Sequence, residues 1–291
     1  MRPVLIAATG VAALALVIPA LIPNSTPQAR AATPPTLTFT PNAQNGKDLL
    51  RSMAAGLRQQ PATAQATRQR GAVFINEGYA LVTSAPGKGE ATSAWFSKKI
   101  TTDIEIKGAG GTTRITSDES EPHFATEADR KAWIDSGAGG TTGAGHESTT
   151  EPTEPGIVAW YTQPPLTKQA FLNAVFTRQP DRSTGMLLNG IAENLGTAVL
   201  EPAQRAVLLD ELAARDDVRY LGTTTDRAGR PAYGFAYDSD RAGLPTRHIL
   251  LISHEGVLLS YEQILTSNAG SLNVAIPATI SYALYLSAKY R

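Results

Sequence analysis

The segment Trp95–Lys107 constrains this chain more than any other. Phe96, Ile100, Thr102, Ile104 and Ile106 fall on one side of a two-residue repeat, and Lys99, Thr101, Asp103, Glu105 and Lys107 on the other. Successive side chains of a strand point to opposite faces, so the pattern describes a strand with one buried and one wet face. Antiparallel sheets tolerate that arrangement, whereas parallel sheets bury both faces. The chain should therefore be built on an antiparallel sheet.

Its surroundings extend the reading. Ala72–Thr83 is apolar and β-rich, and Gly108–Gly111 turns Trp95–Lys107 back onto Thr112–Ser117 as a hairpin. Helical spacing marks Gly46–Gln60, Ala125–Ile134, Lys168–Thr177, Gly185–Leu195 and Pro202–Ala214. Strands then return. Val218–Thr225 and Pro231–Tyr237 flank Asp226-Arg227-Ala228-Gly229, and His248–Ser253 and Val257–Gln263 flank His254-Glu255-Gly256. Ile276–Tyr290 alternates again. Strands, helices and strands in blocks predict an α+β domain over residues 46–291, with an antiparallel sheet and helices on one face. Residues 33–45, rich in Pro and Thr, read as a linker, and residues 136–156, rich in Gly, Thr and Glu, as a mobile loop. Ile157–Thr162 is a short apolar stretch.

Residues 1–32 carry the layout of a secretory leader or an N-terminal membrane anchor. Arg2 precedes an apolar run from Val4 to Ile22, and Ala29-Arg30-Ala31 fits a leader cleavage pattern. The expected localisation of the rest is extracytoplasmic, anchored or secreted. The absence of cysteine excludes disulfides, thiolate zinc sites and thiol nucleophiles. A formal net charge of zero, with no basic block, excludes a phosphate-neutralising nucleic-acid surface.

No catalytic or metal motif is complete, and no cofactor is implied. His254-Glu255 lies in a turn and lacks the second histidine of a zinc-protease helix. Ser136 lacks the glycines of a nucleophile elbow, Gly87-Lys88 lacks the first glycine of a phosphate loop, and Gly137–Gly145 is no dinucleotide fingerprint. Asp103 and Glu105 share a strand face with lysines and read as solvated. The candidate ligand-binding residues are Tyr233, Phe235 and Tyr237, three aromatics on one strand face. Such a stripe either lines an apolar cavity or packs a core.

Pro202, Arg205, Ala206, Leu209 and Leu212, followed by Asp226 and Gly229-Arg230, resemble a family of uncharacterised actinobacterial envelope proteins. These are anchored by an N-terminal membrane segment and often encoded beside extracytoplasmic-function sigma factors. Leu49–Leu57, Trp133 after Arg130-Lys131-Ala132, and Pro165-Leu166 before the Lys168 helix extend the likeness. It implies a curved, half-open, barrel-like sheet over helices, as in periplasmic lipoprotein carriers, and no active site. Two features depart from it: only Met1-Arg2-Pro3 precede the apolar run, and the last hairpin turns on Ser253-His254-Glu255-Gly256. The expected function is non-catalytic binding of a lipid, lipopeptide or envelope protein at the membrane. The alternatives are a hydrolase whose site assembles only in the fold, and a structural envelope protein.

Overall fold

The computed structural model describes residues 31–84, 92–135, 144–177, 179–194, 198–240, 243–272 and 274–291. The apolar run Val4–Ile22 lies outside these residues. Among the described residues, no helix is long and apolar enough to cross a membrane.

The fold is the expected α+β architecture: one curved, open, antiparallel sheet of nine strands with seven helices among the described residues. The first meander comprises β1 (Gly71–Ser84), β2 (Thr92–Lys107), β3 (Gly110–Glu119) and β4 (Gly145–Pro152). The second comprises β5 (Arg219–Thr225), β6 (Pro231–Ser239), β7 (Thr246–Ile252), β8 (Leu258–Leu265) and β9 (Ala278–Tyr290). Their order is β4-β3-β2-β1-β9-β8-β7-β6-β5, so the last strand pairs with the first and joins the two meanders.

The helices are α1 (Gly46–Arg58), α2 (Gln65–Arg68), α3 (Glu127–Asp135), α4 (Pro155–Thr162), α5 (Lys168–Val175), α6 (Thr184–Asn194) and α7 (Pro202–Ala213). Phe235, Leu250, Tyr261, Ala283 and Gly78 form one cross-strand row, which fixes a common face from β6 to β1. Phe235, Leu250 and Tyr261 on that face pack against Leu50, Leu57, Phe171, Leu187, Ile191 and Leu209 of α1, α5, α6 and α7. Further along it, Phe74 and Ile104 meet Val158 and Tyr161 of α4, and Phe96 meets Trp133 of α3. The helices thus cover one face, as the buried side of Trp95–Lys107 requires.

Residues 33–45 are an arm laid on the sheet and not a free linker. Thr40 exchanges backbone hydrogen bonds with Thr223 at 2.8 and 3.0 Å, which pairs the β5 edge. Leu37 and Phe39 pack on Ala232, Ala236, Ile249 and Leu251, on the face away from the helices. Gly234 permits this, because a Cβ there would lie 2.2 Å from the Phe39 ring. Of the segment expected to be a loop, residues 136–143 fall outside the description, while Gly145–Pro152 is the edge strand β4. Ile157–Thr162 is helical, with Pro155 in the first turn of α4.

The turn between β5 and β6 ties the sheet together. The Asp226 carboxylate accepts from the Ala228 and Arg230 amides at 3.0 and 2.8 Å and from Arg230 Nε at 2.7 Å. Arg230 then donates to the carbonyls of Tyr285 (2.7 Å) and Leu259 (2.9 Å). Both carbonyls sit at register shifts, where Leu259 and Leu286 have no cross-strand partner. A bulge interrupts the backbone ladder, and this guanidinium supplies donors there. Beside it, Arg227 donates to the fully buried Glu262 from Nε (3.0 Å) and Nη2 (2.8 Å) and stacks over Tyr282 at 4.8 Å.

Candidate functional site

On the helix side, a partly open cavity of about 390 Å³ lies between the start of α7 and strands β1, β8 and β9. Local chemistry fixes its wall. Pro202 opens α7, and the Glu201 amide donates to Gln204 Oε1 at 2.8 Å, which caps the helix. The Glu201 carboxylate is 2 % exposed and accepts from the Thr63 amide (2.9 Å) and the Tyr290 hydroxyl (2.7 Å). These contacts clamp the start of α7 to the end of β9. Arg205, one turn later, lines the cavity with Val199, Leu200, Leu258 and Tyr285.

Among the described residues, two polar atoms of these lining side chains are fully buried without a hydrogen-bond partner: Arg205 Nε and Tyr285 Oη. Among the described residues the Arg205 guanidinium forms no salt bridge, and the charge of Glu201, four residues back, acts on it through space. Burial pulls the Arg205 pKa down against that influence, and burial pushes the Tyr285 phenol up. A buried donor without an acceptor costs about 1–3 kcal/mol, so each of these atoms is a cost to the fold.

The aromatic stripe divides. Phe235 is 2 % exposed within the main core cluster, and it also borders a pocket of about 260 Å³ with Leu50, Leu212 and Tyr220 beneath α1. Tyr233 is half-buried and stacks on His254 with ring centroids 4.5 Å apart. Tyr237 borders a different pocket, of about 340 Å³, beside the start of α6. The three residues share a face but not a site.

That last pocket holds the closest approach to hydrolase chemistry. Ser239 Oγ lies 2.9 Å from His248 Nε2, and His248 Nδ1 lies 2.6 Å from the Tyr261 hydroxyl. Gln263 Nε2 donates to Tyr261 Oη at 3.1 Å. In the tautomer in which the phenol gives its proton to His248 Nδ1, the imidazole proton sits on Nε2 and points at Ser239. A histidine that donates to a serine holds it in place and does not deprotonate it. Burial pushes the His248 pKa down to about 4, with the Asp238 charge opposing, so the ring is neutral near pH 7.

The other candidates have structural partners. Asp103 pairs with Arg291 at 3.1 Å, and Glu105 with Lys107 at 3.2 Å. His146 Nδ1 lies 2.7 Å from Asp118 Oδ1 across β3 and β4, and His123 stacks on Trp95 at 3.8 Å. Among the described residues no three His, Asp or Glu side chains converge as a metal site.

Arg205 and Tyr285 were not among the residues singled out for binding, although Arg205 carried a signal. It lies four and seven residues before Leu209 and Leu212, on the buried stripe of α7. No protein-family model matches this chain, and no curated protein or solved structure shows a significant similarity to it.

Proposed function

We propose that this chain is a non-catalytic binding protein that works outside the cytoplasm, at the membrane, and holds a small amphipathic lipid-like ligand between its sheet and α7. The observation that carries the reading is the 390 Å³ cavity, apolar along Val199, Leu200 and Leu258, with the polar side chains of Arg205 and Tyr285 among its lining residues. Ligand sites combine these elements: apolar walls for affinity and a few polar groups for orientation. The Val4–Ile22 run after Arg2 supports placement at a membrane. The resemblance of Pro202–Arg230 to anchored envelope proteins supports it as well.

Native mass spectrometry of the full chain, purified from its membrane fraction, tests the reading. The expected result is a bound species of lipid mass that is released by gentle activation. A chain that carries no adduct, and that takes up no acyl probe when one is supplied, would favour a purely structural envelope role.

A further inference from the structure

We infer that the pocket of about 340 Å³ between the start of α6 and strands β6, β7 and β8 is a second binding site, which takes one neutral sugar residue. This site is separate from the cavity beside α7. The sheet face changes character beneath α6. The cross-strand row Phe235, Leu250 and Tyr261 packs the main core. Two residues further along the same strands, on the same face, the next row is Tyr237, His248 and Gln263, and beyond it Ser239 pairs with Thr246. Polar side chains that face helices cost desolvation and add little apolar contact, so packing alone does not account for these rows.

Unlike Arg205 Nε and Tyr285 Oη, these groups are within reach of a ligand. Tyr237, Ser239, Thr246, His248 and Gln263 are all half-buried, as is Asn189 of α6, and the accessible wall is as much polar as apolar. Hydroxyls and amides each present a donor and an acceptor. The complement to such a mixture is a ligand whose own groups do both, which describes a set of hydroxyls. Tyr237 adds an aromatic surface for the C–H side of a sugar ring. Gly185 adds no side chain against that ring, where a Cβ would touch it at 3.4 Å. The match involves no charge. No lysine or arginine is among the described lining residues, and His248 is neutral near pH 7. The Asp240 carboxylate is exposed, where water weakens its hold on a cation. Hydrogen bonds from Ser239 through His248 and Tyr261 to Gln263 order the floor before a ligand arrives, which lowers the cost of binding. The volume, near the lower end of small-molecule pockets, suits one sugar unit and not an oligosaccharide.

Isothermal titration calorimetry of the full chain tests the site. The probes are glucose, galactose and mannose, each as the free sugar and as the methyl glycoside, with the matching uronates as charged counterparts. At least one neutral sugar should bind with a Kd of about 1 mM or tighter, and its uronate at least about tenfold more weakly, because a buried charge would go uncompensated. Gly185→Leu adds bulk against the Tyr237 ring without altering any floor residue and should abolish the binding. Asn189→Ala should weaken it about tenfold. Binding of the free sugar or of the glycoside supports the site, and a preference for the glycoside marks the end of a glycan as the source. No neutral sugar bound at concentrations well above about 1 mM, or a uronate bound as tightly as its neutral parent, would overturn the inference. Unchanged binding by both variants would overturn it too, since the sugar would then sit elsewhere on the molecule. The ratio of neutral to charged sugar on the parent protein is decisive even where a variant fails to fold.

Discussion

His248 shows how a single side chain sets a pH dependence. Its folded-state pKa of about 4 lies below the ordinary value near 6.5, with burial as the main cause. Between those values the unfolded chain binds a proton that the folded chain refuses. Stability should therefore be unaffected by this residue above about pH 6.5 and fall as the pH drops towards 4, by at most roughly 3 kcal/mol. Urea denaturation across that range checks it: His248→Gln should flatten the slope. Arg227 carries a different cost. Removing it leaves the Glu262 carboxylate buried and unpaired, so Arg227→Ala should lose about 3–5 kcal/mol, whereas replacing both partners by Met should lose far less. Equal losses in the single and double variants would show that the pair acts through packing. At this scale the sequence is readable only where a residue breaks its own pattern. Ser239 continues the Tyr233, Phe235, Tyr237 alternation into a polar position, and Arg205 interrupts an apolar stripe. That Tyr285 and Arg205 line one cavity depends on how α7 crosses the sheet, and no local pattern encodes that.

Among elements, the strands with strong alternation or β-branched runs were legible to within a few residues, because their periodicity reflects a face that is buried. β4 was not. Its residues are almost all exposed, so burial imposes no period on Gly145–Pro152. The arm was misread for another reason. Its Pro and Thr content resembles a linker, yet Leu37 and Phe39 alternate with Thr36, Thr38 and Thr40 as a half-buried strand would. Two glycines make room for it. Gly222, at φ +106°, would place a Cβ 2.2 Å from the Thr40 carbonyl oxygen, and Gly234 carries the Phe39 ring. Gly234→Val should therefore push the arm off, at a cost of about 1–3 kcal/mol, and expose residues 33–45 to protease. Limited proteolysis of the variant beside the parent protein checks it, and identical cleavage patterns would show that the arm does not need this seat. α4 illustrates the ambiguity of short apolar runs, which suit a strand or a buried helix equally until Pro155 is recognised as a helix start.

For the whole molecule, the α+β class followed from the blocks of strand and helix patterns, but the order of strands did not. The pairing of β1 with β9 joins the two ends of the domain, and periodicity carries no record of partners so far apart. Arg291 reinforces that junction: its amide donates to the Gly71 carbonyl at 3.1 Å, and its side chain pairs with Asp103. The seam has a consequence for how the molecule is made. Until β9 has been synthesised, β1 and β8 are open edges of two half-sheets, and no shorter length of chain can join them. Long-range pairing of this kind is slow, since the loop must be closed before the contacts reward it. The two meanders thus become one sheet only when β9 emerges and pairs with β1 and β8 alike.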